Sequence, residues 1–304
     1  MTRRSDSKRA DPAHCSPSEL ARRTISKNLR RVWQTLQLAA RFSSNGEADI
    51  HDLRVATRRT VAALRSFRRF VPKRDARRLR RDLRRLRRAA GEARDLDVLI
   101  RQLFEQPHNL SDATLPFVLQ QAMSRRFAAQ APLERMLRRL HKRRFPNRAR
   151  RFVKRIEWRG AGPVPSVRDY AASEIRIAAA NLRQAILSRS LSESQLHALR
   201  IQAKRLRYTA ELFTPAFGTE AVTLAIRMAK ELQTRLGVVT DNMATVRRVA
   251  PWASECPDQK TRAGFRRYLQ SLRQASRRSI KDFRAWWTPQ RVQKLATQLA
   301  RLEK

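Results

Sequence analysis

Acidic residues are scarce in this 304-residue chain: 26 Asp and Glu stand against 68 Lys and Arg, a formal net charge of +42. So large an excess repels itself. It sets aside neutral metabolites and partners of ordinary surface charge, and points to a polyanion held through counterion release. Cysteine is nearly absent too. The two that occur, Cys15 and Cys256 beside Pro257, have neither metal-ligand spacing nor a framework to staple, which fits a reducing compartment. Only 7 glycines and few alternations of Val, Ile and Thr argue against sheet. No stretch approaches 18 uncharged apolar residues, and the basic start MTRRSDSKRADPAHCSPS lacks an apolar core, so neither a membrane span nor a secretion signal is expected. A cytoplasmic location follows as the expectation. The five tryptophans, Trp33, Trp158, Trp252, Trp286 and Trp287, are too scattered for a base-stacking platform and read as core anchors.

What is present in quantity is helix-forming. Hydrophobic residues make up 41% of the chain, enough for one large or two mid-sized cores, and Leu, Ala, Arg and Gln dominate the periodic segments. The chain therefore reads as all-α. Residues 1–17 read as a disordered tail, and Ser18 as the cap of a first helix reaching about Phe42. Helices then follow over about 49–71, 73–90 and 95–104, with a long helical region over 113–158 interrupted at Pro132 and Pro146. The stretch 159–165 gathers Gly160, Gly162, Pro163 and Pro165 and marks a hinge between 18–158 and 166–304. Helices over about 166–190, 194–213, 219–236, 241–250 and 258–287 are expected in the second part, with a short one after Pro289.

The two parts repeat each other at a fixed offset of 146 residues. His51-Asp-Leu-Arg54-Val-Ala-Thr-Arg58-Arg59 aligns with His197-Ala-Leu-Arg200-Ile-Gln-Ala-Lys204-Arg205, and Phe67, Arg84, Gly91 and Asp95 with Phe213, Lys230, Gly237 and Asp241. No gap is needed between His51 and Asp95. His, Gly and Asp are rare enough here that their coincidence signals duplication, and the spacing suits a duplicated domain rather than a solenoid. On a helix, His51, Arg54, Arg58, Arg65 and Arg69 share one stripe, opposite Leu53, Leu64, Phe67 and Val71. The second copy sets His197, Arg200, Lys204, Arg207 and Tyr208 against Leu199, Ala203, Leu206, Ala210 and Phe213. Cations at i, i+3 and i+7 lie about 5 to 10 Å apart along the axis, a ladder suited to successive phosphate groups.

A charged helix face is ordinarily just a solvated face, but that gives no reason for the same order of His and cations in both halves. Each His could instead be a helix-start residue with a hydrogen-bonded ring. The segment Lys73 to Arg88 carries 10 cations in 16 residues yet keeps Ala76, Leu79, Leu83 and Leu86 on one stripe, so it packs, with Arg77, Arg80, Arg84 and Arg87 flanking that core. Gly91 and Gly237 suggest a close helix approach, followed by Asp95 and Asp241 as caps or arginine partners.

The paired motifs resemble the CHAD family, the conserved histidine α-helical domain, whose pattern is His-x-x-Arg-Val-x-x-Arg-Arg in one half and His-x-x-Arg-x-x-x-Lys-Arg-x-Arg-Tyr in the other. Arg94-Asp95-Leu96-Asp97-Val98 is similar to the family's Arg-Asp segment, and the resemblance spans roughly 18–290. It implies two homologous four-helix bundles related by a pseudo-two-fold axis, with a basic central groove or cavity that binds inorganic polyphosphate, often on polyphosphate granules. Val61 departs from the pattern, standing where the second copy has Arg207. The Glu-x-Glu-x-Lys strand motif of the triphosphate-tunnel domain that many relatives carry is absent, so a stand-alone CHAD protein is expected. The candidate binding residues are His51, Arg54, Arg58, Arg59, Arg65, Arg77, Arg80, Arg84, His197, Arg200, Lys204, Arg205, Arg207, Tyr208 and Lys230. No catalysis, metal or other cofactor is expected. Two alternatives stay open: sequence-independent binding of a nucleic-acid backbone, and a metal-dependent phosphohydrolase built on His51 and His197.

Overall fold

A computed structural model describes residues 15–41, 46–105, 114–187, 192–214 and 220–303. Among the described residues there is no strand, and none of the helices is long and apolar enough to cross a membrane. Helices α1 (Pro17–Ala39), α2 (Gly46–Ser66), α3 (Lys73–Glu105), α4 (Thr114–Ala128), α5 (Gln130–Lys142) and α6 (Phe145–Lys154) form the first half. The second half contains α7 (Val167–Ile186), α8 (Glu193–Phe213), α9 (Glu220–Val249), a 3-10 turn (Ala250–Glu255), α10 (Gln259–Trp286) and α11 (Pro289–Ala300). Local chemistry sets the starts. The hydroxyls of Ser16, Ser166 and Ser192 each accept the backbone N–H three residues on, and Ser192 completes a capping box with Gln195. The first cap is thus Ser16 rather than Ser18, because Pro17 occupies the first helical position, where its missing N–H costs nothing.

Two breaks expected from the sequence do not occur. Helix α3 runs unbroken through Gly91 and Asp95, and α9 through Gly237 and Asp241. An internal glycine costs about 1 kcal/mol of helix stability. Ala90, Ala93 and Leu96 on α3, and Leu236 and Val239 on α9, bury enough apolar surface on either side to offset that. Within each half the helices pack in the same order: α1 on α2, α2 on α3 and α3 on α4 recur as α7 on α8, α8 on α9 and α9 on α10, while α6 lies on α1 as α11 lies on α7. Between the halves, α2 packs on α8 and α4 on α10.

The expected core stripes are buried in both copies, including Leu53, Leu64, Phe67 and Val71, and Leu199, Ala203, Leu206, Ala210 and Phe213. The junction between halves is aromatic at its centre. Phe67 and Phe213, equivalent in the repeat, meet edge to face at 5.5 Å, and Tyr170 of α7 stacks on Phe67 at 6.2 Å. Polar contacts satisfy the rest: the Tyr170 hydroxyl donates to the Ser66 carbonyl at 2.6 Å, the Ser66 and Thr209 hydroxyls lie 3.4 Å apart, and Arg68 pairs with buried Glu174. The segment read as a hinge, 159–165, is tied to the first half at its start: Arg159 N–H donates to the Arg69 carbonyl, and Glu157 N–H, just before it, to the Phe70 carbonyl. Cys15 and Cys256 are both buried. Of the expected tail 1–17, residues 1–14 lie outside the described residues, whereas Cys15 is buried, Ser16 caps α1 and Pro17 is its first residue, so the expected tail is too long.

Candidate functional site

Packing α2 against α8 forces their polar stripes together. A cavity of about 280 Å³ opens at this junction. Helix α2 contributes His51, Arg54 and Arg58, α3 contributes Arg94, Asp95 and Gln102, α8 contributes Arg200, and α9 contributes Asp241 and Arg248. Five arginines thus converge on two aspartates. Asp95 pairs with Arg248 of the other half at 2.7 Å, and Asp241 with Arg200 at 3.4 Å. Neither aspartate is a helix cap; both are arginine partners in mid-helix. The repeated glycines Gly91 and Gly237 now have a physical role. A Cβ at Gly91 would lie 3.5 Å from Arg54 Nη1, and one at Gly237 would lie 3.7 Å from Arg200 Nη2. The missing side chains are the room that the two equivalent guanidinium groups occupy.

Burial and charge crowding both shift the titration of these groups. Lys204 is pushed down to about 8 from the usual lysine value, first by burial and then by Arg200, Arg58 and Arg207, with Asp241 opposing. Burial, then Arg94 and Arg58, lower the His51 pKa, with Asp52 opposing. Burial also lowers Arg54 and Arg65, Arg54 being partly held up by Asp95 and Arg65 further depressed by Arg205. Among the described residues, the buried Nε atoms of Arg58, Arg200 and Arg205 have no hydrogen-bond partner. Buried donors of this kind are costly when unpaired, and a phosphate oxygen is a matching acceptor.

Lys204→Met is expected to stabilise the ligand-free protein while weakening anion binding. A lysine whose folded-state pKa is lowered binds its proton more readily when unfolded. Stability therefore rises with pH between about 8 and the ordinary lysine value near 10.5, and the charge's cost is fully present below 8. Thermal unfolding at pH 7 should show a higher midpoint for Lys204→Met than for the native chain. The gap should narrow by pH 10, and an unchanged gap would mean that neither burial nor the neighbouring arginines disfavour the Lys204 charge.

The fifteen candidate residues do not form one surface. His51, Arg54, Arg58 and Arg200 line the cavity, and Lys204 feels Arg58 and Arg200. Arg59 and Tyr208 open instead on a groove of about 290 Å³ with Lys27 and Asn28 of α1 and with Glu211. Arg65 and Arg205 repel one another across the junction. Arg207 is held by Glu211 at 3.3 Å and lies over the Tyr208 ring at 4.8 Å. Arg80 donates to the Leu64 carbonyl at 2.6 Å and lines, with Arg77, a cleft beside the linker. Arg84 and Lys230 are exposed, and exposed His197 is not among the lining residues of the motif cavity. Three basic or polar lining positions were not among the candidate binding residues: Arg94, which the sequence reading noted only in its Arg-Asp segment, Gln102 and Arg248. The signal that finds the last was available, since Gln102 and Arg248 are 146 residues apart and face the same cavity.

Comparison with known proteins bears on the family and the fold. The model of the CHAD domain family matches residues 24–250. No curated protein sequence matches significantly. Among solved structures, the CHAD domain from the plant Ricinus communis is similar with a TM-score of 0.66 and 17% identity, over 95% of this chain and 93% of that one. PptA from Streptomyces chartreusis is similar with a TM-score of 0.63 and 14% identity, over 90% of this chain and 99% of that one. At such identities these likenesses speak to the fold.

Proposed function

The chain belongs to the CHAD domain family, and from that membership and the charge cluster between α2 and α8 we propose that it binds inorganic polyphosphate without turning it over. The carrying observation is the convergence of Arg54, Arg58, Arg200 and Lys204 from two repeat copies into one crowded site, where burial first and neighbouring arginines second lower the lysine and histidine pKa values. A linear phosphate chain relieves that repulsion and supplies acceptors for the unpaired guanidinium nitrogens. We read the packing of α2 on α8, α4 on α10 and Phe67 on Phe213, each pairing equivalent elements, as a pseudo-two-fold that lets one polymer span both motifs. Cytoplasmic polyphosphate granules are the setting we expect for such a ligand.

The ligand-facing carboxylates support binding over hydrolysis. Asp95 and Asp241 are engaged by Arg248 and Arg200, whereas metal-assisted phosphoryl chemistry uses carboxylates to hold Mg²⁺ or Mn²⁺ and position water. Incubating the protein with long-chain polyphosphate and either metal should release no orthophosphate. Release that vanishes in His51→Ala would establish the phosphohydrolase alternative instead.

The deciding experiment is competition among long-chain polyphosphate, orthophosphate, transfer RNA and duplex DNA at several salt concentrations. Polyphosphate should win over DNA near physiological salt, because a cavity of about 280 Å³ admits a bare phosphate chain and presents no element for reading bases. The tryptophans support this: Trp252 is buried, and Trp33, Trp158, Trp286 and Trp287 pack against the core. Equal or tighter binding of DNA would favour the nucleic-acid reading.

A further inference from the structure

A larger concave surface, of about 560 Å³, lies where the turn between α2 and α3, the first turns of α3 and the linker between the halves meet. Its charged lining is Arg68, Arg69, Lys73, Arg77, Arg80 and Arg159, and no carboxylate lines it. In this it differs from the motif cavity, where Asp95 and Asp241 sit among the arginines. Arg68 is paired with Glu174 and Arg159 with Glu157. Arg69, Lys73, Arg77 and Arg80 form no ion pair among the described residues, and of these Arg69 still feels the buried Glu174 carboxylate, so Lys73, Arg77 and Arg80 carry the uncompensated charge of the bowl.

The bowl is built rather than incidental. Arg80 is anchored through the Leu64 carbonyl, and burial lowers its pKa. The linker wall is fixed by the Arg159 N–H, which donates to the Arg69 carbonyl at 2.8 Å. Trp158 packs on Phe70 at 5.1 Å and donates from Nε1 to the Gly162 carbonyl at 3.0 Å. Here glycine is required: a Cβ at Gly160 would lie 2.3 Å from the Trp158 ring. Cations in a row along a helix track a polymer, whereas cations converging from three segments collect a compact cluster of charge. The volume falls in the ordinary range of small-molecule sites.

We propose that this cleft is a second, separate site for a compact cluster of phosphoryl groups, as in free triphosphate or a polyphosphorylated inositol. It does not depend on polymer binding between α2 and α8. An occupant would bridge α3 to the linker and so hold the segment that joins the two halves.

The test is calorimetric titration of the full chain with triphosphate, inositol hexakisphosphate and orthophosphate in parallel. Saturable binding of one equivalent of triphosphate or inositol hexakisphosphate is expected, the tighter of the two identifying the source of the phosphate cluster. Arg69→Gln with Arg77→Gln should weaken it about tenfold or more, since charge-assisted contacts are lost. Arg54→Gln with Arg58→Gln should change it less than about twofold, and long-chain polyphosphate should show the opposite pattern. As a second readout, triphosphate should slow tryptic cleavage after Arg159, read by mass spectrometry. The proposal is overturned if neither probe saturates, or if the Arg54/Arg58 pair or the exposed pair Arg266→Gln with Arg267→Gln costs as much as the Arg69/Arg77 pair. Failure of polymer binding alone, with triphosphate still bound, would overturn the motif site and leave this one standing.

Discussion

Replacing Arg54, Arg58 and Arg200 together by alanine should lower affinity for long-chain polyphosphate by about two to three orders of magnitude, from three lost charge-assisted contacts. The salt dependence should flatten by roughly two slope units, each lost phosphate contact removing about 0.7 for a single-stranded polyanion. These three side chains share one cavity fed by both repeat copies, so the loss falls where a single polymer bridges the halves and gains from effective concentration. Removing Arg266, Arg267 and Arg273 takes away the same formal charge from exposed positions on α10. That control should cost no more than a few-fold through the general field. A control loss equal to the motif loss, with both variants folded by circular dichroism, would mean that binding is diffuse. The repeated His-Arg pattern would then serve to hold α2 and α8 against their neighbours.

How far the sequence alone reached can be traced through α2. Its apolar stripe of Leu53, Leu64 and Phe67 was legible because burial follows the 3.6-residue period whatever the partner helix is. The offset of 146 residues made the motif legible for a different reason: Gly91 with Arg54, and Gly237 with Arg200, keep one geometric relation in both halves. What could not be read is the sorting of adjacent cations. Arg58 and Arg59 are neighbours in sequence, yet about 100° of helical turn sends the first into the motif cavity and the second to the α1 groove. Only the placement of α1 and α3 around α2 decides which is which. The same holds for Arg207, which periodicity put in the binding stripe and which Glu211 and Tyr208 engage locally. Arg77 and Arg80 joined a cleft whose far wall is the linker, over eighty residues away in sequence, a relation no local pattern carries. The breaks at Gly91 and Gly237 were misjudged because glycine's helix penalty is small beside the burial of the residues around it.

Phe67→Ala should be among the most damaging single substitutions in this protein, at about 3–5 kcal/mol of unfolding free energy. Phe67 is fully buried and touches three other rings: Phe70 at 6.1 Å, Tyr170 at 6.2 Å and Phe213 at 5.5 Å. Two of those rings belong to the other half, so the cavity would open at the seam rather than inside one bundle. Collapse around it is opposed by the fixed polar contacts nearby, where the Tyr170 hydroxyl holds the Ser66 carbonyl and Arg68 holds Glu174. Phe213→Ala removes the equivalent ring and should cost a similar amount. Because the two rings touch, the double variant should lose less than the sum of the singles. Calorimetry should show a single transition lowered by about 10 °C in each single variant, since a junction shared by both halves couples their unfolding. The same variants should bind polyphosphate more weakly although no cation has been touched, because Arg58 and Lys204 face each other only while α2 and α8 stay in register. Two resolved transitions, of which one stays at its native midpoint, would show instead that the halves fold independently and that the seam plays no part in assembling the site.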